Sequence, residues 1–450
     1  MKNTFNSLCI SLPEDIKKAK YHGDFKRAIR LIDMHLQSDK TATCMKERLA
    51  FEKLVLKELP REYPYSVSEA LEIIQKEIKD FTEGELNEWI DTEKVDWIYV
   101  DGEIHLFNRF FSTMKKVYPD IAKRCGIAKT DENFKLLEEN MSVMKQKGYN
   151  SYHYHVKSSI QIHDDAFVPN KKVHVHLPIP SNCINIENIK ILDHTKSPVT
   201  FISDTNSRTI YFEEIMEENH PFFVEYEYDS TSKYNHLTCG KESSNFKEYT
   251  YEKNPAIVFT PLIKALAKEL KGNETDPLKI ARNFYDYCTT KVTYSFMRKY
   301  VALPYIPDYV GASLKGDCGV QALLFITLCR VTGIPAHFQS GLYTTPHDIG
   351  CHDWAMFYVE PYGWLFADPS FGGSAFRANR KELHDFYFGN LDPFRMVANN
   401  DVCNEFEPAK KYLRSDPYDN QIGEIEYDDY GLTEKDFSYK QVILENHQNN

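Results

Sequence analysis

The sequence predicts an α+β protein of several domains, and three observations carry that expectation. Apolar residues recur at helical spacing in the first 60 residues and again from Ile257 to Leu328. Strand-like alternation runs through residues 151–250. A chain of 450 residues with 42% hydrophobic content is too long for one ordinary core. The expected order is a helical segment over 1–65, a winged-helix-like module over 66–130, a β-sandwich over 151–250, an α+β domain carrying the chemistry over 255–400, and a C-terminal extension over 401–450.

In the first segment, Ile16 and Ala19, a break at Gly23-Asp24, and then Ala28, Ile29, Ile32 and Leu36 predict a helical hairpin. Tyr21 to Leu36 resembles half of a tetratricopeptide unit, but no second copy follows at that period. In the next segment Thr82-Glu83-Gly84-Glu85 has capping-box spacing, and Trp97 to Val100, Asp101-Gly102 and Ile104 to Phe107 predict a type I′ hairpin. That outline suggests nucleic-acid binding, yet residues 66–120 hold 6 Lys+Arg against 13 Asp+Glu. Like charge against phosphates argues for packing beside the cleft or contact with another protein instead.

Residues 130–150 predict a charged connecting helix, followed by strands at Tyr152 to Val156, Lys172 to Leu177, Thr209 to Phe212 and Phe222 to Tyr228. The alternating His153, His155, His174 and His176 read as one solvated sheet face and not as metal ligands. Helices are expected again over Ile257 to Leu270 and Pro277 to Thr290, with the polar break Asn273 to Asp276 between them.

Composition narrows the function classes. A formal charge of −12 argues against a nucleic-acid partner, because neutralising phosphates requires clustered Lys and Arg. No stretch approaches the ~18 apolar residues of a membrane span. Met1 to Lys18 holds only the apolar patch Leu8-Cys9-Ile10 ahead of Pro13, unlike a secretory signal. The expectation is a cytoplasmic protein without membrane contact. Ten cysteines, at 9, 44, 125, 183, 239, 288, 318, 329, 351 and 403, include no C-x-x-C pair and read as free thiols. No cofactor and no metal are expected.

One cysteine stands in a context suited to catalysis. Gly316-Asp317-Cys318-Gly319 precedes the apolar run Val320 to Val331, and Gly333 with Pro335 ends it, so Cys318 is expected to start a buried helix. Helix-start amides and an imidazole partner lower a thiol pKa, so Cys318 is read as a nucleophile with a depressed pKa and its own N–H as one oxyanion donor. Cys351 to Val359 reads as a strand headed by His352, and Trp364 to Pro369 as its antiparallel neighbour carrying Asp368. A turn centred on Glu360 sets 352 opposite 368; one centred between Pro361 and Tyr362 offsets them by three residues. Cys351 is a rival thiol that lacks the helix dipole.

Taken together, G-D-C at 316–318, Ala322, Leu323-Leu324-Phe325, Leu328, Arg330, Gly333-Ile334-Pro335-Ala336, the H-x-W at 352–354 and the W-x-x-x-D-P at 364–369 resemble the core of the transglutaminase-like superfamily. The order Cys, His, Asp with gaps of 34 and 16 residues matches that core, and the resemblance spans 275–375. Val175 to Pro180 more weakly resembles the sandwich that precedes the core in bacterial members.

The resemblance implies a papain-like core, a Cys helix packed on an antiparallel sheet. Cys318 would form the acyl-enzyme on an amide or peptide carbonyl, His352 would shuttle the proton and Asp368 would fix its tautomer. Hydrolysis by a cysteine peptidase or amidase is preferred, since bacterial members resemble proteases more often than crosslinkers. Glutamine crosslinking and a catalytically idle peptide-binding scaffold are the alternatives. A glycan-removing amidase is weakened by the absence of C-x-x-C pairs. Trp354 and Trp364 are candidates to line an acyl-donor tunnel, with core packing as the competing role, and Tyr294 is a candidate second oxyanion donor. Met356 stands where many members carry an acidic residue, a departure that bears on substrate contacts and not on the triad.

Overall fold

The computed structural model describes residues 5–128 and 131–449, so the boundary expected at 130 lies outside the described residues. The N-terminal segment forms three helices, Glu14–Tyr21, Phe25–Gln37 and Thr43–Glu62, one more than the expected hairpin. Gly23 separates the first two at φ +78°, where a Cβ would overlap the Tyr99 carbonyl, and its own carbonyl accepts the Asp101 N–H at 3.0 Å. The break therefore also seats the helices on the hairpin of the next module.

That module places the helices Val67–Glu77, Glu83–Asp91 and Phe110–Val117 against a three-stranded antiparallel sheet of Tyr65–Ser66, Glu103–Leu106 and Trp97–Val100. The capping box at Thr82 forms in both directions with Glu85. The two-residue turn has φ +51° at Asp101 and +86° at Gly102, as type I′ requires. Ile74, Leu86, Trp89, Leu106 and Phe110 give the module a core of its own. It is tied to the later domain by Arg298–Asp96 at 3.1 Å and Lys315–Glu93 at 3.2 Å.

After the helix Glu132–Lys147, two four-stranded sheets form a sandwich. One runs Glu424–Tyr427, Lys171–Pro178, Thr209–Met216, Val199–Ile202; the other Phe437–Gln448, Tyr149–Ile162, Phe222–Lys233, Ile186–His194. Alternate residues Tyr154, Val156, Val224 and Tyr226 bury toward Val173, Val175, Ile210 and Phe212. The residues read as a C-terminal extension supply an edge strand to each sheet, because Ile425↔Val175 and Val442↔Lys157 pair across the ladder. The histidines of these strands find protein partners: His153 meets Asp229 at 2.7 Å, His174 meets the Tyr211 hydroxyl at 2.6 Å, and buried His176 meets Thr209 at 3.0 Å.

In the last domain, a five-stranded antiparallel sheet has the order Phe388–Gly389, Gly363–Ala367, Asp348–Val359, Ala336–Thr345, Arg395–Asn399. The helix Cys318–Val331 packs on its two central strands and is buried all round, with Val320, Leu323, Phe325 and Ile326 at 0% exposure. It ends as expected, with Gly333 at φ +87° and the Ile334 N–H bonded to the Cys329 carbonyl. Among the described residues, no helix is long and apolar enough to cross a membrane.

Candidate active site

Cys318 is the first residue of its helix, and Asp317 is the N-cap, its carboxylate accepting the Val320 N–H at 3.1 Å while its carbonyl accepts from Gln321. The amides of Cys318 and Gly319 lie ahead of the first intrahelical bond, which is where an oxyanion donor is needed. Gly319 is required by crowding: a Cβ there would fall 2.7 Å from Asp353 Oδ2 and closer still to the Tyr300 hydroxyl. Tyr300 in turn donates to Asp317 at 2.5 Å. Cys318 opens onto a cleft of about 320 Å³ lined also by Tyr294, Arg109, Asp353 and the loop 415–424.

His352 and Asp368 meet as expected, Nε2 to Oδ2 at 2.8 Å, with exposures of 3% and 0%. The register lies between the two alternatives: Ala355 pairs with Ala367, so Trp354 stands opposite Asp368 and His352 is two residues off, on the same face. The Asp-Pro pair has a local cause, since Asp368 N-caps the helix Pro369–Arg377 with Oδ1 on the Phe371 N–H at 2.9 Å and Pro369 in its first turn. Oδ2 also receives Arg395 Nη2 at 3.1 Å, and Arg395, fully buried, is bonded to Asp392 at 2.6 Å.

Burial pushes the Asp368 carboxyl up, but His352, Arg395 and the Phe371 N–H outweigh it and hold the group below the usual carboxylate range. Burial pushes His352 down against the pull of Asp368. The pair is therefore an ionised carboxylate accepting Nε2–H from a neutral ring, which leaves the lone pair on Nδ1. Nδ1 has no hydrogen-bond partner among the described residues.

The expected Cys–His contact is not made. Consecutive strand residues project to opposite faces, and the side chain that reaches the sulfur is that of Asp353, with Sγ donating to Oδ2 at 3.2 Å. His352 packs instead on Phe371, with ring centroids 4.5 Å apart, and no hydrogen bond joins it to Cys318 among the described residues. The expectation of a depressed thiol pKa is corrected accordingly. Burial, then Asp353 and Asp317, push the Cys318 thiol well up, because two acidic neighbours oppose the helix dipole. Burial likewise pushes Cys351 up.

Two proposed substrate residues are also relocated. Trp354 is fully buried and donates Nε1–H to Gln339 at 2.8 Å, so it is a core residue and not a tunnel wall. Trp364 packs on His337 at 4.6 Å and Phe246 at 5.1 Å, four residues along the strand from Asp368, about 13 Å at strand rise. Tyr294 does line the cleft with Cys318, beneath Lys116 at 4.2 Å from its ring.

Sequence reasoning missed Asp353, Arg395, Asp416, Asp419 and Gln421. Gln421 Nε2 donates to the Asp353 carboxylate at 2.7 Å and to the His352 carbonyl at 3.0 Å. A signal existed for the first two: each is a charge inside an apolar strand run, beside Trp354-Ala355-Met356 and Met396-Val397-Ala398. The other three lie in a loop with no periodicity to mark it.

Residues 264–369 match the family model described as Transglutaminase-like superfamily. Among curated proteins, none matches the chain. Solved structures similar to it include a chain from Cytophaga hutchinsonii named a "Putative Cysteine Protease", at 14% identity and TM-score 0.44, covering 67% of this chain and 91% of that one. Another is the periplasmic domain of TgpA from Pseudomonas aeruginosa, at 13% identity and TM-score 0.29, covering 51% of this chain and 92% of that one. At these TM-scores the likeness carries no argument about function.

Proposed function

We propose that this chain, whose core matches the transglutaminase-like superfamily, performs thiol-dependent acyl transfer on amide or peptide carbonyls, with hydrolysis as the outcome. The observation that carries this reading is Cys318 at the start of a buried helix, facing a cleft, in a fold that holds a neutral His352 against an ionised Asp368. Cys318 is the nucleophile, and its N–H with Gly319 N–H or the Tyr294 hydroxyl stabilises the oxyanion. His352 Nδ1 is the base, and Asp368, itself braced by Arg395, keeps the proton on Nε2. In the resting arrangement Sγ is bonded to Asp353, so catalysis requires the thiol to leave that carboxylate for the imidazole.

The same Cys318–Asp353 bond favours a second reading, a peptide-binding scaffold with idle chemistry. The two part on one experiment: a peptide library is incubated with wild type, Cys318→Ala and His352→Ala, with and without a primary amine. Peptide cleavage lost in both variants supports hydrolysis; amine incorporation lost in both supports crosslinking; binding without turnover in all three supports the scaffold. Replacing the thiol at a helix start removes little packing, on the order of 1 kcal/mol, so Cys318→Ala is expected to fold.

A further inference from the structure

Beside Cys318 the cleft wall is built from three carboxyl groups, Asp353 from the sheet and Asp416 and Asp419 from the loop before the Glu424–Tyr427 strand. Asp353 and Asp416 each face Asp419; burial pushes all three carboxyls up, and the Asp419 charge adds to the push on Asp353 and on Asp416, the latter to about 7. None of the three has an ion-pair partner among the described residues. Arg414, whose charge acts on Asp416 and Asp419, is taken by Glu424 at 3.1 Å and by the Asn404 carbonyl at 2.7 Å. Arg109 stands over the Phe296 ring at 3.4 Å.

Two further atoms mark the site as open to a ligand. Asp419 is 6% exposed, lines the cleft and has no hydrogen-bond partner on Oδ2. Asn420, 2% exposed and also lining the cleft, has no partner on Nδ2, while its Oδ1 is taken by the Gly423 N–H at 3.0 Å. A buried acceptor and a buried donor without partners are costly in a finished structure. Among the described residues no group of three or more His, Cys, Asp or Glu is placed to hold a metal ion.

We propose that the cleft beside Cys318 binds a primary ammonium group on Asp353, Asp416 and Asp419, with Asn420 Nδ2 donating to a carbonyl oxygen of the same molecule. The ligand chemistry is that of a lysine-like side chain on a peptide, or of an amine accepting the acyl group. The proposal rests on Cys318 being the reacting thiol only for its turnover arm. A bound ammonium also offsets the carboxylates that keep the thiol protonated, so the group recognised and the group activated are neighbours.

The test uses the full chain and two thiol probes of opposite charge, 2-aminoethyl and 2-sulfonatoethyl methanethiosulfonate. Labelling is read at the Cys318 peptide by mass, normalised to a small free thiol, with Cys318→Ala as background. At low salt the cationic probe is expected to lead by about tenfold or more, equivalent to a one-unit electrostatic preference. The ratio should fall toward one in Asp416→Asn and Asp419→Asn, whose folding is checked by thermal melting. Equal rates for the two probes, or a ratio unchanged in both variants, overturns the proposal.

In the turnover arm, peptides containing lysine are compared with norleucine counterparts, with butylamine added. Faster lysine peptides inhibited by butylamine place the ammonium on the substrate chain; butylamine found in the product places it on an acceptor. Equal turnover of lysine and norleucine peptides without amine incorporation counts against the site. Absence of all turnover removes the acyl-transfer reading, while the probe ratio, which needs no turnover, still decides the ammonium site.

Discussion

Replacing Asp416 by asparagine should stabilise the protein at alkaline pH and leave it nearly unchanged at pH 4. Asp416 is packed against Asp419 and its carboxyl is pushed up to about 7, against an ordinary value of 3.8. Between those values the folded protein holds a proton that the unfolded chain has lost, so stability falls as pH rises through the window. The contribution is fully present below about 4 and fully lost above about 7. The span of roughly three units corresponds to about 4 kcal/mol for an isolated group.

Coupling to Asp419 and Asp353 shares the proton and reduces this, and about 2 kcal/mol is the figure to test. On a cooperative unit of this size that is a melting shift of about 4–8 °C. The assay is thermal unfolding of wild type and Asp416→Asn from pH 4 to 8.5 at fixed ionic strength. The two curves should converge at low pH and separate above pH 6, with the variant higher. A variant less stable than wild type at pH 8, or a pH-independent difference, refutes the reasoning.

Four other outcomes are expected. Asp368→Asn should slow turnover less than His352→Ala, since an amide oxygen still accepts Nε2–H; steady-state kinetics on any substrate found decides it, and equal losses count against the orienting role. Arg395→Met should destabilise the catalytic domain by about 3–5 kcal/mol, because it strands Asp392 and Asp368 in the interior, and Asp392→Asn should relieve part of that loss, both read as urea midpoints. In the ligand-free protein, iodoacetamide labelling of Cys318 should rise only in the alkaline range, and fast labelling below pH 7 would show that the thiol pairs with His352 in solution. Duplex DNA titrated against the full chain at low salt should give no anisotropy change, given 13 acidic against 6 basic residues over 66–120; salt-sensitive micromolar binding contradicts this.

The parts legible in the sequence were those set by local chemistry. The Cys318 helix, the Thr82 capping box and the Asp101-Gly102 turn each rest on residues within a few positions of one another, and each formed as read. Asp368 was legible through the strand pairing and the W-x-x-x-D-P resemblance, whereas its place as N-cap of Pro369–Arg377, beyond the strand end at Ala367, was not read. What pattern could not supply was which side of the pleat faces the thiol. His352 and Asp353 are adjacent, the register depends on a three-residue turn, and one residue decides whether an imidazole or a carboxylate meets the sulfur. Trp354 was misassigned because an aromatic two residues from the site histidine serves equally as wall or as core, and only Gln339, from a neighbouring strand, decides for the core.

The residues beyond 369 explain why the core alone is an incomplete description of the site. The family match ends at 369, yet Arg395 braces Asp368, Gln421 holds Asp353, and Asp416, Asp419 and Asn420 form one wall of the cleft. This loop is fixed at its far end by Glu424–Tyr427 and Phe437–Gln448, the strands that pair with Lys171–Pro178 and Tyr149–Ile162 of the sandwich. The sandwich is therefore coupled to the cleft through covalent continuity and hydrogen bonds, while the N-terminal module contributes Arg109 to its lining. Removing residues after 400 would take away two edge strands, Gln421 and the wall carboxyls Asp416 and Asp419 at once. Asp353 would then lose its Gln421 donor but keep Cys318, so the groups added by this segment bear on what the cleft binds and on how readily the thiol is released. On the reading proposed above, Cys318, His352, Asp368 and Asp353 come from the matched core, while Asp416, Asp419 and Asn420, the other groups proposed to hold the ligand, come from outside it.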